Sequence, residues 1–173
     1  MWRRALPSGL IALAIGTPAS AQIQELAPGD YRCSAAAGQY SNQEIPPLEV
    51  GKPMTARFRF IAERPDPKWP GNAAVQFVTP KDRMTVMVGT SENDSDHLYV
   101  DLLDGKTGYS EMIARYHVTN LWIEVSFTLT KRGIVRVESG QVNELNLRTK
   151  PPVKTELHCQ SGEFEIQVVR PQG

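Results

Sequence analysis

The segment LWIEVSFTLT, residues 121–130, alternates apolar and polar side chains without a break. Because alternate residues of a β-strand point to opposite faces, this pattern predicts a strand with one buried face. The predicted inward side chains are Leu121, Ile123, Val125, Phe127 and Leu129. The outward face carries Trp122 and Glu124, an indole beside a carboxylate on the side expected to meet solvent or a ligand.

Similar short runs rich in Val, Phe, Thr and Tyr recur along the chain, separated by Gly, Pro, Asn and Asp. No segment of ten or more residues shows a convincing helical period, so the pattern predicts an all-β sandwich or barrel. Strands are predicted near residues 30–35, 54–62, 73–79, 83–90, 97–103, 109–118, 121–131, 133–139, 143–149, 154–159 and 163–170.

The strand at 121–131 is predicted to lie between two hairpin partners. A two-residue turn at 119–120 would pair it with 109–118, which sets Arg115 opposite Glu124 on the outer face. The loop Lys131-Arg132-Gly133 would pair it with 133–139, with Gly133 at the position that favours a positive φ. Both registers place apolar residues opposite apolar residues, so a three-strand meander with one inner face is expected.

The first residues, MWRRALPSGLIALAIGTPASAQ, have the order of a secretory signal peptide. Two arginines precede a short apolar run, and Ala19-Ser20-Ala21 forms a small-x-small cleavage site. The sequence therefore predicts a signal peptide at 1–21 and a single domain at 22–173, in the periplasm or secreted. Later apolar runs are too short for a transmembrane helix.

Charge argues against nucleic acid as a partner. Without Arg3 and Arg4 the 19 basic residues fall to 17 against 19 acidic ones, a net charge of −2. Such a chain has no bulk attraction for nucleic acid or for anionic membranes.

The two cysteines of the sequence, Cys33 and Cys159, are predicted to form a disulfide, because an exported chain with an even cysteine count favours one. Closing so long a loop could contribute roughly 5 kcal/mol in the chain-entropy model. Two separate thiols or a metal pair are the alternatives, and neither has supporting neighbours.

The runs MTARFRF, AAVQFVT, TVMVGT, LYVDLLDG and LWIEVSFTLTKRGIVRV resemble the strand series of concanavalin A-like jelly rolls, the laminin-G type above all. The resemblance covers about residues 30–170 and implies an all-β, antiparallel two-sheet jelly-roll-like β-sandwich. It also implies sugar or protein ligands on a concave sheet or a loop rim. The Glu-x-Asp-x-Glu strand of the glycosidase branch and the His-x-Asn-x-Arg motif of the galectin branch are absent.

Four side chains of the predicted hairpin form a candidate ligand patch: Trp122, Glu124, Arg115 and His117. An aromatic ring can contact the apolar face of a sugar, while charged groups bond its hydroxyls. The alternatives are an Arg115–Glu124 ion pair with Trp122 stacked on His117, or a face covered by another segment. Trp69, in the Pro-rich loop RPDPKWPG, is either an exposed interaction point or packed over the sandwich edge.

Metal and catalytic signals are weak. Asp94 and Asp96 could bind calcium at a loop rim, although Asn, Asp and Ser are also what turns need; no other cofactor is predicted. The three histidines lie outside zinc-type motifs, and no Gly-x-Ser-x-Gly or phosphate loop occurs. The first hypothesis is an exported, non-catalytic binding module of the cell envelope that recognises a glycan or an envelope protein. The alternatives are a structural or assembly protein, and a hydrolase; the sequence does not indicate the oligomeric state.

Overall fold

The computed structural model describes residues 21–64, 66, 68–80, 82–91, 94–117, 121–147 and 153–170, without the side chains of residues 94 and 95. The regular elements of these residues are thirteen strands. In chain order they are β1 Gln22–Ala27, β2 Asp30–Ser34, β3 Tyr40–Leu48, β4 Met54–Glu63, β5 Asn72–Val78, β6 Arg83–Ser91, β7 Asp94–Asp104, β8 Tyr109–His117, β9 Ile123–Leu129, β10 Ile134–Glu138, β11 Val142–Asn146, β12 Val153–Gln160 and β13 Gly162–Val169. No helix among the described residues has the length and hydropathy that a membrane span requires.

The strands form two antiparallel sheets whose apolar faces pack together. The seven-stranded sheet has the order β1-β2-β13-β4-β9-β10-β11, and the six-stranded sheet has the order β3-β12-β5-β6-β7-β8. Phe77 of the six-stranded sheet meets Phe127 of the other edge to face, with ring centroids 5.4 Å apart, and both rings are fully buried. The predicted all-β two-sheet sandwich is confirmed.

The predicted disulfide joins the two sheets. Cys33 lies on β2 of the seven-stranded sheet and Cys159 on β12 of the six-stranded sheet, with their Cα atoms 6.2 Å apart. Both residues are fully buried, so the bond crosses the core.

The predicted hairpin of β9 and β10 is confirmed. Phe127 lies opposite Val137 and Leu129 opposite Val135, as the loop length implied. Gly133 has a φ of 76°, the left-handed conformation that favours glycine.

The other predicted hairpin is wrong. β8 pairs with β7 in the six-stranded sheet, whereas β9 pairs with β4 and β10 in the seven-stranded sheet. Arg115 therefore lies opposite Tyr99, and Glu124 lies opposite Arg57. The proposed turn, residues 119–120, lies outside the described residues. An apolar match could not identify the partner, because every strand of a sandwich presents an apolar inner face.

Two strands were not predicted, and both are sheet edges. β1 borders the seven-stranded sheet and β3 the six-stranded sheet. β3 contains Pro46 and Pro47, which favour a loop in sequence but are tolerated on an edge, where some N–H groups have no strand partner. The predicted signal peptide spans residues 1–21, of which 1–20 lie outside the described part of the chain, so export stays a prediction.

Candidate functional site

The four residues of the predicted ligand patch lie on different sheets. Arg115 and His117 belong to β8 of the six-stranded sheet, while Glu124 belongs to β9 of the seven-stranded sheet and Trp122 directly precedes it. The expected Arg115–Glu124 pair is absent, because each residue lies opposite another partner. The four residues therefore belong to two different outer faces, one on each sheet.

On the seven-stranded sheet, Trp122 lies over two arginines. The Cζ atoms of Arg59 and Arg57 are 5.0 and 5.7 Å from the indole ring centre, within cation–π range. Arg57 Nε lies 3.4 Å from Glu124 Oε2, and Arg59 Nε donates to Glu165 Oε2 at 2.9 Å. The indole and the carboxylate that stood out in the sequence are thus engaged by side chains of their own sheet.

Ion pairs continue across this outer face. Arg64 pairs with Glu163, Arg32 Nη2 lies 3.6 Å from Glu163 Oε2, and Arg136 Nε donates to Glu144 Oε1 at 3.1 Å. Cross-strand pairs that remain partly exposed typically contribute up to about 1 kcal/mol each. Alternating charges of this kind are typical of a solvated sheet surface.

The outer face of the six-stranded sheet is organised in three rows that cross its strands. The first row contains Tyr40, Gln160, Asn72, Gly89, Tyr99 and Arg115. The second contains Asn42, His158, Ala74, Met87, Asp101 and Met112. The third contains Glu44, Glu156, Gln76, Thr85, Leu103 and Ser110. Two residues of the predicted patch, Arg115 and His117, thus lie at one end of this face.

The middle of this face is recessed. Asn72 and Gln76 are each only 5% exposed and Ala74 is not exposed at all, although all three point away from the core. Outward side chains of an antiparallel sheet with one solvated face are normally open to water, as Glu124 is, with 58% of its side chain exposed. The side chains around β5 therefore enclose its outer surface.

Three buried acceptors on this face have no hydrogen bond: Asn72 Oδ1, Gln76 Oε1 and Glu156 Oε2, of which Glu156 Oε2 has the guanidinium Nη2 of Arg83 at 3.6 Å. Gln76 and Glu156 are direct cross-strand neighbours. A buried polar atom without a partner costs about 1–3 kcal/mol, so each one calls for a reason. What these atoms share is a need for donors.

Burial also changes the titration of two groups in the second row. Desolvation, and then the charge of Arg83, lowers the pKa of His158, whose Nδ1 lies 2.7 Å from Asn42 Oδ1. Desolvation raises the pKa of Asp101. Both shifts favour the neutral form, as expected where neighbouring side chains exclude water. The covered region around Asn72, Ala74 and Gln76 is called the hollow below.

Aromatic rings stand at one end of the hollow. Tyr40 is 65% exposed and stacks on His158, with ring centroids 5.9 Å apart. Trp69 is 52% exposed, so it is not packed over the sandwich edge. The carbonyl of Pro70 accepts bonds from Asn72 Nδ2 and Gln160 Nε2 at 3.2 and 3.3 Å, which ties the Trp69 loop to this face.

The other end carries basic and aromatic groups. Arg115 Nη2 lies 3.0 Å from His97 Nδ1, and its Cζ lies 5.7 Å from the Tyr99 ring centre. The rings of His97 and His117 are 4.3 Å apart. This cluster contains the two predicted residues and borders the hollow through Tyr99.

The residues at the centre of this face were not among the predicted site residues. Gln76 interrupts the otherwise apolar run AAVQFV, and a lone amide in a central strand is a usable signal for a buried polar site. The partners of Gln76 could not be found in the same way, because Glu156 and His158 reach it only through the pairing of β5 with β12.

The candidate calcium ligands lie at the start of β7. Asp96 is exposed, and the side chain of Asp94 is outside the described residues. In the part of the chain that the structure describes, no group of three or more His, Cys, Asp and Glu side chains could hold a metal ion. Calcium binding stays a prediction.

No protein-family model matches the sequence, and no curated protein sequence matches it. Solved structures do share its fold. A congerin II double mutant has a TM-score of 0.51 at 11% identity, over 77% of this chain and 100% of that one. The carbohydrate-binding module CBM66 from Bacillus subtilis has a TM-score of 0.52 at 11% identity, over 88% and 92% of the two chains. A Bacillus licheniformis β-glucanase has a TM-score of 0.50 at 9% identity, over 86% and 80%.

At such low identity these similarities describe architecture alone. They agree with the antiparallel two-sheet architecture and with the predicted concanavalin A-like resemblance, whereas the laminin-G type in particular stays a prediction. The chain is an antiparallel two-sheet jelly-roll β-sandwich.

Proposed function

We propose that the protein is an exported, non-catalytic glycan-binding module of the cell envelope, and that the glycan lies on the outer face of the six-stranded sheet. The observation that carries this proposal is the pair of buried acceptors without donors, Asn72 Oδ1 and Gln76 Oε1, beside Glu156 Oε2, which has Arg83 Nη2 at 3.6 Å. Each of these atoms exposes less than 1 Å², so sugar hydroxyl groups would supply the missing donors after the side chains that cover them move aside. A hydrogen bond from a ligand to a buried acceptor contributes more binding free energy than one to an exposed acceptor, since the buried acceptor has already lost its water.

The surroundings of the acceptors suit a sugar ring. Tyr40, at the end of the first row, offers an exposed aromatic surface for apolar C–H groups. Arg115 and His117 at the opposite end offer donors to hydroxyls at the rim. Neutral His158, below Tyr40, can bond a hydroxyl without bringing a charge into the hollow.

Similar structures support the ligand class. One protein that shares the fold is a carbohydrate-binding module and another is a β-glucanase, so the same architecture serves carbohydrates elsewhere. Fold similarity raises the expectation of a sugar ligand, while the proposal itself rests on the acceptors.

The carboxyl groups of this face favour binding over hydrolysis. Glycosidases with two catalytic carboxyl groups need one of them protonated, at a separation of roughly 5–9.5 Å. Glu44 and Glu156 are cross-strand neighbours, but Lys154 Nζ bridges them at 2.9 and 3.0 Å and compensates their charge. Asp101 has Met87 and Met112 as its cross-strand neighbours, and Glu156 lies three strands away, about 14 Å.

The experiment is a screen of the wild-type protein on an array of neutral and acidic oligosaccharides, followed by calorimetric titration of the hits. Gln76→Leu removes an acceptor while keeping most of the side-chain volume, so it is expected to lower affinity between about 10- and 100-fold. Trp122→Ala is the matched control on the other sheet and is expected to leave the affinity unchanged.

Two results would overturn the proposal. One is the absence of any glycan hit. The other is the reverse pattern, in which Trp122→Ala abolishes binding and Gln76→Leu does not, which would support the sequence-based assignment of Trp122 and Glu124. Recognition of an envelope protein has no favouring contact among the described residues and stays a prediction.

A further inference from the structure

A cavity of about 190 Å³ lies at one side of the sandwich, away from the outer faces. One wall is formed by β6, β7 and the start of β8 from the six-stranded sheet, and the other by β11 from the seven-stranded sheet. A dry protein cavity of about 150 Å³ accepts benzene. This one is therefore large enough for a six-membered ring with a short side chain.

The floor and the rim of the cavity differ in character. Met84, Leu102 and Leu145 supply an apolar floor, and each is less than a tenth exposed. The rim carries the carboxylates of Asp104 and Glu111. Glu144 also lines the cavity, and its carboxylate pairs with Arg136, Nε to Oε1 at 3.1 Å.

Glu111 is the carboxylate best placed to meet a ligand. It accepts a hydrogen bond from the hydroxyl of Tyr109 at 3.3 Å, and its charge raises the pKa of that phenol. Asp104 already accepts the backbone N–H groups of Lys106 and Thr107, at 2.9 and 3.2 Å. Tyr109 is neutral when it donates, so its hydrogen bond leaves the charge of the Glu111 carboxylate at the opening.

Asn143 adds a requirement of its own to the one set by the Glu111 carboxylate. Its Nδ2 is buried without an acceptor, and it lines the cavity from the side of β11. An unpaired buried donor needs an acceptor, which a carboxylate-binding ammonium group cannot provide by itself. Asn143 Nδ2 exposes less than 1 Å², so a ligand that brings an acceptor as well as a cation would satisfy this donor once the Asn143 side chain turns toward the cavity.

We infer that the cavity between β8 and β11 is a binding site for a small amphiphilic amine: an apolar ring on Met84, Leu102 and Leu145, a protonated amine at Glu111, and a hydroxyl or carbonyl oxygen at Asn143 Nδ2. The site is separate from the proposed glycan face, because its lining belongs to the space between the sheets. Its failure would leave the glycan proposal untouched.

Tyramine is a suitable probe, because it combines an aromatic ring, an ammonium group and a hydroxyl. Tyrosol replaces the ammonium with a neutral hydroxyl at nearly the same size and is the matched ligand control. Titration of the isotope-labelled wild-type protein by NMR is expected to give saturable shifts at the Asn143 side-chain amide and the Leu145 backbone amide. Tyramine is expected to bind about tenfold or more tightly than tyrosol, since only the ammonium forms a charge-assisted bond.

Variants complete the test. Glu111→Gln is expected to weaken tyramine about tenfold or more without changing tyrosol, whereas Glu138→Gln, an exposed carboxylate on β10, is expected to change neither. Gln76→Leu is expected to leave tyramine binding intact. Equal binding of the two probes, shifts confined to the outer faces, or no effect of Glu111→Gln would each overturn the inference.

Discussion

The outer faces of the two sheets contain similar kinds of polar residue in opposite energetic states. On the seven-stranded sheet, Arg59 and Glu165 satisfy each other and Trp122 covers the guanidinium group. On the six-stranded sheet, Asn72 Oδ1 and Gln76 Oε1 are buried and have no hydrogen bond. The first face also has a buried atom without a hydrogen bond, Arg57 Nε, but this donor lies 3.4 Å from a carboxylate oxygen of Glu124.

Buried acceptors without donors on an outer face indicate a candidate ligand site. The conspicuous aromatic and carboxylate, Trp122 and Glu124, have Arg57 and Arg59 of the same sheet as neighbours, and their role in ligand binding stays a prediction. A buried acceptor without a donor costs stability, and a ligand can recover that cost. Among the described residues, the two outer faces therefore differ in the kind of buried polar atom that has no hydrogen bond: a donor, Arg57 Nε, on the first face and three acceptors on the second.

The largest change in the free energy of unfolding is expected from removing the disulfide that joins the two sheets. Cys33→Ala with Cys159→Ala should lower the free energy of unfolding by about 5 kcal/mol in the chain-entropy model, because the bond closes a loop with a sequence separation of 126. Denaturant unfolding measures the change. The single variant Cys33→Ala should lose nearly as much, and a loss below about 1 kcal/mol in both would show that the sheets do not depend on this bond.

The seven-stranded face is tested by Arg59→Ala, which removes both the partner of Glu165 and the cation beneath Trp122. The expected loss is about 1–2 kcal/mol, kept small because both charged side chains are about 30% exposed. A double-mutant cycle with Glu165→Gln measures the pair directly. A coupling energy indistinguishable from zero would remove the structural role assigned to this face.

The six-stranded face should respond with the opposite sign. Gln76→Leu removes a buried acceptor that has no donor, so it should raise the free energy of unfolding by about 1 kcal/mol while it weakens glycan binding. Thermal and denaturant unfolding of the ligand-free protein measure this gain. Destabilisation instead would mean that Gln76 belongs to the structural network, and the contrast between the faces would disappear.

The smallest effect concerns pH and sharpens the description of the hollow. The pKa of His158 is lowered in the folded protein, so the unfolded chain takes up the proton first as the pH falls below its ordinary value of 6.5. Stability should therefore fall with decreasing pH from about 6.5 downward, and His158→Gln should flatten this part of the profile. The groups that bear on this titration are Arg83, Glu156, Gln160, Asn42 and Tyr40.

Asp101 should act in the opposite direction at lower pH. Its raised pKa means that the folded protein binds the proton first, so stability is gained as the pH falls from the raised value toward the ordinary 3.8. Melting temperatures of wild type and Asp101→Asn across this range separate the two groups. An unchanged profile in both variants would indicate that the hollow is well hydrated.

Much of the fold follows from local pattern. Alternation identified the inward side of β9, since Phe127 and Val125 are fully buried, and loop length identified the register with β10. The cysteine pair followed from composition. The sequence pattern did not predict the edge strands β1 and β3, because an edge strand needs less apolar content and tolerates proline.

In β9 and β10 the sequence alone determined which side faces the core, because side-chain parity is a property of the extended backbone itself. The predicted inward position of Leu121 is wrong, since it lies before β9 and is 59% exposed. Only the tertiary structure decided which strands are neighbours, and so which polar side chains meet. It moved Arg115 away from Glu124 and brought Gln76 beside Glu156, since pairing in a sandwich depends on strands far apart in the chain that share the same inner pattern. The candidate site is a product of that pairing.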